Sequence, residues 1–372
     1  MNNKKQLLIF ESIAHVAGGQ RALLNLLPFL TKEFSVTVVL PKDGPLKGEL
    51  DKLGVSVVFR NSGSYTLGSK NIFQVIKYIY FSLLLFLRIF LLIRKFDLIY
   101  VNSARWLPIV VMSDFWVSRP VIFHSHSLIS DKKSLWLVEV FAGFKNVKKI
   151  IAASKSIVSA AAKLRDKTAV VYNGISSEIF YPATSRNKSD ILEIGVVGDL
   201  IPSKGQDRLL MALASLNTRQ WHLKIIGGSR PGNELFLEDL KRLVINLKIA
   251  DQVDFIGRQE KVADYLRTLD VVVLPSTVPE GSSLAVIESL ACGVPVIASD
   301  LGGTKELIVD GENGFIYKSG EENSLGFALN NFFRMSEDNR QTMGRASHLF
   351  FIEKYQIQDM AEKIIYCIKE VV

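Results

Sequence analysis

Residues 274–317 read LPSTVPEGSSLAVIESLACGVPVIASDLGGTKELIVDGENGFIY. Val271 to Leu274 is a β-branched run stopped by Pro275, and Val294 to Ser299 is a second such run, so Ser283 to about Ala291 is predicted to be the helix between two strands. Ser282 or Ser283 suits the N-cap, and Gly293 with Pro295 ends the helix. Leu284, Ile287, Glu288 and Ala291 share one stripe, which puts a carboxylate where an apolar residue is expected. A salt bridge or a capping role would account for it, and so would binding of polar ligand atoms, because a carboxylate on a buried face needs partners. Glu280 lies in the loop that opens the helix. Carboxylates repel a phosphate, but a helix N-terminus attracts one. Together they fit a nucleotide sugar, with the diphosphate on free N–H groups and the hydroxyls on the two glutamates.

Glu280 and Glu288 form an E-x7-E pattern, followed by ACGVPVIASDLGG and NGFIY; HVAGGQ, VVYNGI and VVGDLIPSKG precede it in that order. Through these segments most of the chain resembles the family 4 retaining glycosyltransferases (glycosyl transferases group 1), without pointing to one substrate. The resemblance implies an α/β GT-B fold, in which two facing Rossmann-like, doubly wound domains have a cleft between them. Residues 1–180 would bind the acceptor and residues 190–350 the nucleotide sugar, with a C-terminal helix, about 352–372, packing back on the first domain. It also implies sugar transfer from a nucleoside diphosphate donor to a hydroxyl acceptor with retention of configuration, using no cofactor and no metal. The acceptor expected is a lipid-linked saccharide or a surface polysaccharide precursor.

Carried onto this chain, the resemblance assigns the diphosphate to Lys204, Gly198 and the N–H groups around Ser282, Ser283 and Leu284. Glu288 would hold the ribose and Glu280 the donor sugar hydroxyls. His126, with His124 as second choice, would face the transferred sugar, and Gly18 and Gly19 would lie on the acceptor or donor-sugar side. One position departs from the family pattern. Asp199 stands where an arginine commonly assists the lysine, and a carboxylate ~4 Å from a phosphate is repulsive by about 1 to 4 kcal/mol. Either Asp199 points away, or Arg258 or another base substitutes, or the donor is unusual, or turnover is weak. A non-catalytic nucleotide-sugar binder and another GT-B reaction, such as phosphorolysis, are the alternatives.

The rest of the chain alternates strand and helix. Leu7 to Phe10, Val36 to Leu40, Val55 to Phe59, Leu98 to Asn102, Val121 to Phe123, Lys149 to Ala152 and Ala169 to Tyr172 read as strands of a parallel sheet. Glu193 to Val197, Leu223 to Ile226, Val253 to Ile256, Val271 to Leu274, Val296 to Ser299 and Phe315 to Tyr317 read as a second set, after a polar linker at Tyr181 to Asp190. Gly18 and Gly19 fall in the loop before a helix at Gln20 to Leu30, where a tight turn explains them as well as close approach to a ligand. His124 and His126 alternate on a strand end; a metal pair there lacks a third ligand, and a packed, hydrogen-bonded histidine is the plainer reading. No G-x-x-x-x-G-K-[ST] phosphate loop is present, and no G-x-G-x-x-G follows a strand and opens a helix, which disfavours a dinucleotide-dependent dehydrogenase.

A length of 372 residues suits two domains, and two cysteines without ligand spacing point to a reducing, cytoplasmic setting. The first apolar run is too short for a signal peptide and is read as a strand. A net charge of +8 fits nucleotide diphosphates or anionic lipid; nucleic acid is disfavoured because the basic residues are scattered. Residues 72–93, IFQVIKYIYFSLLLFLRIFLLI, are too interrupted by charge to cross a bilayer. They are expected either to be buried between neighbours or to lie in the headgroup region of an anionic membrane, on the inner face of the plasma membrane.

Overall fold

The computed structural model describes residues 4–61, 72–129, 131–184, 189–230 and 232–372, with the side chains of helix 72–93 described from residue 83 onward. It forms two compact units, Met1–Tyr172 with Gln358–Val372, and Asn173–Ile357. The division therefore falls at Tyr172, ahead of the polar segment Tyr181 to Asp190, of which residues 185–188 lie outside the described residues.

The first unit runs β1 (Gln6–Phe10), α1 (Gly18–Glu33), β2 (Ser35–Leu40), α2 (Pro45–Lys52), β3 (Ser56–Phe59), α3 (Ile72–Ile93), β4 (Leu98–Val101), α4 (Leu107–Asp114), β5 (Val121–Ser125), α5 (Lys132–Ala142), β6 (Val147–Ala152), α6 (Lys155–Ala160) and β7 (Thr168–Val170). Its strands form one parallel sheet in the order β3-β2-β1-β4-β5-β6-β7. Every residue of β4 is buried, as is all of β1 after Gln6, because helices cover both faces of a parallel sheet.

The second unit runs β8 (Leu192–Val197), α7 (Gln206–Ala214), β9 (Trp221–Ile226), α8 (Glu234–Asn246), β10 (Val253–Gly257), α9 (Val262–Leu266), β11 (Val271–Leu274), α10 (Leu284–Ala291), β12 (Val296–Ser299), β13 (Gly314–Tyr317), α11 (Ser324–Phe333) and α12 (Glu337–Lys354). Its sheet, also parallel, has the order β10-β9-β8-β11-β12-β13. The last helix, α13 (Ile357–Lys369), joins the first unit, where Lys149 pairs with Glu370 at 2.7 Å and Lys369 with Glu33 at 2.7 Å.

Strand order reverses once in each sheet, between β1 and β4 and between β8 and β11. Connections leave such a point in opposite directions, so the loops after those strands part and leave a crevice at their carboxyl ends. The sequence expectation for Gly18 and Gly19 is corrected here. They are not in a loop but open α1, because the Ala17 N–H donates to Gln20 Oε1 at 3.2 Å and closes the first turn two residues early.

Candidate functional site

In the second unit the reversal point is built from the loops after β8 and β11. Gly205 takes a left-handed conformation, φ 68°, and a Cβ there would fall 2.1 Å from the Pro275 carbonyl oxygen, so the two loops touch backbone to backbone. The Thr277 N–H donates to the Ser203 carbonyl at 2.9 Å and locks the register. Lys204 is held between these contacts, and its Nζ reaches Glu280 Oε1 at 2.8 Å, both side chains being mostly buried. Ser276 Oγ shares that glutamate oxygen. The Glu280 main chain is fixed in turn by the Gly303 N–H, 2.8 Å from its carbonyl. Lys204 is thus not simply solvated, as a lone lysine near a helix start usually is: the expected phosphate ligand and the expected sugar ligand hold each other.

Ser283 is the N-cap of α10, but its side chain makes no capping hydrogen bond, so the N–H groups of the first turn have no side-chain acceptor from it. Ser282 Oγ and Asn173 Oδ1 are buried without a partner close by, while Asn173 Nδ2 donates to the Ser282 carbonyl at 3.3 Å. Leu284 starts the helix and is buried. One turn on, Glu288 is 1% exposed.

Gly198 follows β8 with its N–H on the Ile226 carbonyl at 3.0 Å, and the side chain of Lys204 passes 3.8 Å from where a Gly198 Cβ would stand. Beside it the Asp199 carboxylate is engaged by the Arg230 guanidinium, through both Nε and a terminal nitrogen. Arg258, expected as the substitute base, lies next to Gly228. Arg230, two residues after Gly228, is the residue that meets Asp199. Sequence reasoning missed Arg230; the only signal was its place at the end of the GGSR turn after β9.

The first unit has its own cluster at the equivalent point. Glu11 follows β1, Asn102 follows β4, and His124 and His126 stand at the end of β5. Glu11 is fully buried and accepts hydrogen bonds from the N–H groups of Ser12 and Ile13 and from Asn102 Nδ2 at 2.8 Å. Burial raises its carboxyl above the ordinary range against these donors. Asn102 Oδ1 lies 2.8 Å from His126 Nε2. The two imidazoles, two positions apart and so on one face, lie 3.8 Å apart between centroids with their planes tilted by 37°, and His124 Nδ1 bonds the buried Tyr100 hydroxyl. Burial holds His124 well below the usual histidine range, with repulsion from His126 adding to it, and lowers His126 to about 4. A Cβ on Gly19 would sit 3.5 Å from the His126 ring, whereas Gly18 has open space around it. Glu11 and Asn102 were not singled out from sequence; a charged residue directly after the apolar strand LLIF was the available sign. Among the described residues no group of three or more histidine, cysteine, aspartate or glutamate side chains is placed to hold a metal ion.

Residues 180–350 match the model for Glycosyl transferases group 1, and residues 16–179 match Glycosyltransferase Family 4. An uncharacterized glycosyltransferase of Methanocaldococcus jannaschii is 29% identical over 202 residues, 54% of this chain and 53% of that protein. The D-inositol 3-phosphate glycosyltransferase of Streptomyces scabiei is 33% identical over 184 residues, 45% of this chain and 41% of that protein. The chain thus spans about half the length of the curated relatives it matches. Anabaena HepE, crystallised in complex with UDP and glucose, superposes with a TM-score of 0.84 at 22% identity, covering 98% of this chain and 99% of that one. That likeness identifies the fold as GT-B, and with two family models that together cover residues 16–350, the chain belongs to the family 4, group 1 glycosyltransferases.

Proposed function

We propose that the chain moves a sugar from a nucleoside diphosphate donor to a hydroxyl acceptor with retention of configuration and without a metal. The observation that carries this reading is Lys204, held against Glu280 at the reversal point of the second sheet, beside the α10 N-terminus. A lysine and free N–H groups there would stabilise the charge that develops on the leaving diphosphate, the largest catalytic contribution such a site can make. As the diphosphate draws Lys204, Glu280 is released to accept from sugar hydroxyls, while the buried Glu288 takes the ribose. His126 accepts from a hydroxyl of the transferred sugar. In this scheme the leaving phosphate oxygen takes the acceptor's proton on the same face as the bond to the anomeric carbon breaks and the acceptor oxygen bonds to it.

The pairing of Asp199 with Arg230 removes the objection to a diphosphate at this site, because the carboxylate that would oppose it is neutralised locally. HepE was crystallised with UDP-glucose, so a uridine diphosphate sugar is the first donor to try. The lipopolysaccharide core mannosyltransferase LpsB of Rhizobium meliloti, 30% identical over 210 residues, makes a lipid-linked saccharide the first acceptor to try. The test is a thermal-shift screen against nucleoside diphosphates and their sugars, since a specific ligand raises the midpoint by mass action. One nucleoside diphosphate should raise the midpoint of the native chain and not that of Lys204→Ala. No shift with any of them rejects the reading.

A further inference from the structure

Glu11, Asn102 and His126 form a line of hydrogen bonds whose polarity is set at one end. Glu11 Oε1 faces the N–H groups of Ser12 at 2.6 Å and Ile13 at 3.1 Å, which can only donate. The Gln20 side chain also hydrogen-bonds this carboxyl. A carboxylate among donors accepts at both oxygens, so the Asn102 amide turns its NH2 to Glu11 Oε2, at 2.8 Å, and its oxygen to His126 Nε2, at 2.8 Å. An amide oxygen only accepts, and therefore Nε2 carries the proton. Nδ1 is left as a lone pair, shielded and with no protein partner. The ring is neutral at physiological pH, because burial penalises the charged imidazolium.

We infer that Glu11, acting through Asn102, fixes His126 in the tautomer protonated at Nε2 and so makes Nδ1 the ring's one acceptor, which a sugar hydroxyl reaches once the groups that shield it move aside. The inference rests on the sugar-facing role proposed for His126. Glu11 touches no substrate in this scheme and is a positioning residue. The main chain that carries it is itself anchored, since Trp106 Nε1 donates to the Glu11 carbonyl at 2.9 Å and the Asn102 N–H to the Phe10 carbonyl at 2.9 Å.

Glu11→Gln gives a specific outcome. The Ser12 and Ile13 N–H groups hold the new amide by its oxygen, so its NH2 faces Asn102. The Asn102 amide then turns over, presents its own NH2 to His126 Nε2, and the ring proton moves to Nδ1. The experiment is a long-range 1H–15N correlation spectrum of the full chain labelled at histidine, at pH 7.5, with His126 assigned by the signals lost in His126→Gln. The native spectrum should show the Nε2–H tautomer and the Glu11→Gln spectrum the Nδ1–H tautomer. Turnover of Glu11→Gln should fall about tenfold, the worth of one hydrogen bond of the wrong sense. Should Glu11→Gln not fold, Asn102→Ala serves instead, and both tautomers should appear once nothing selects between them. An Nδ1–H ring in the native chain, or an unchanged Nε2–H ring in the folded variants, overturns the inference, as does a loss of turnover with no change of tautomer. Because the spectrum needs no donor, failure of the transfer reading would show separately, as absence of turnover in the native chain.

Discussion

Arg230 is the residue on which the proposed donor side turns. Its pair with Asp199 is partly exposed and contributes at most about 1 kcal/mol to stability, so Arg230→Ala should leave the folded state nearly unchanged. Function should suffer more, because the bared carboxylate then opposes the diphosphate by about 1 to 4 kcal/mol, or roughly 5- to 800-fold in donor affinity. Adding Asp199→Asn should restore most of the loss, as measured by titration with nucleoside diphosphate; an unimproved double variant would place the effect elsewhere. The sequence exposed Asp199 as a departure but not its remedy, since Arg230 stands 31 positions away and only the packing of the turns after β8 and β9 brings it close. The histidines give a test by pH. Their folded pKa values lie below the unfolded value of 6.5, with His126 near 4, so between those values the unfolded chain binds more protons. Stability from this source is present above pH 6.5 and is lost as pH falls through the window. Glu11 acts in the opposite sense, because its raised carboxyl gains a proton more readily in the folded chain. Urea midpoints between pH 7.5 and 4.5 should therefore fall less steeply in His124→Asn/His126→Gln than in the native chain, and parallel slopes would contradict the assignment.

Among the elements, the loop before α7 and helix α3 make the sharpest predictions. Gly205→Ala introduces a Cβ where Pro275 leaves no room and demands φ 68° of an L side chain, so the loop carrying Lys204 must shift. A loss of roughly 1–3 kcal/mol in urea unfolding is expected, together with weaker nucleotide binding; a variant of native stability and affinity would mean that the backbone contact does not position Lys204. Helix α3 bears on an expectation the sequence left open. Ile89, Leu92 and Ile93 enter the core, yet Leu83, Leu87 and Leu91 are 58%, 46% and 58% exposed, so the helix is not buried between neighbours along its outer stripe. Arg88, Arg94 and Lys95 are exposed around it, while Lys70 and the side chains of Lys77 and Phe81 lie outside the described residues. Phe115 and Trp116, just past α4, are 63% and 70% exposed, and Trp136 on α5 is 60% exposed. No helix of the described residues is long and apolar enough to cross a membrane. We propose instead that this apolar and basic surface rests on anionic headgroups, each nearby cation contributing about 1 kcal/mol. Leu85 packs on the core, so the telling variant is Leu87→Ser/Leu91→Ser, which should weaken salt-sensitive sedimentation with anionic vesicles. Equal recovery with anionic and neutral vesicles at low salt would reject membrane contact.

At the scale of the whole molecule, periodicity and punctuation revealed most of the architecture. Runs such as Leu7 to Phe10 and Val271 to Leu274 must be buried strands, and their alternation with helices forces parallel sheets. Strand ends were less legible: β5 continues through His124 and Ser125, because a histidine bonded to Tyr100 is tolerated in a buried strand where a free one is not. The E-x7-E pair was readable because both glutamates lie in one short stretch, whereas the Glu11, Asn102 and His126 line is assembled from three strand ends that only the sheet order brings together. The central claim is that Lys204 and the α10 N-terminus receive the leaving diphosphate of a nucleotide sugar. It is tested most directly by incubating the native chain in chelator with the nucleotide sugar chosen by the thermal-shift screen and a saccharide acceptor, following the released diphosphate by phosphorus NMR and the new linkage by its anomeric proton coupling. The account predicts diphosphate release, a product with the donor's anomeric configuration, and turnover at least roughly 100-fold lower in folded Lys204→Ala and Glu288→Gln. An inverted product, or release at the native rate in Lys204→Ala, would contradict it.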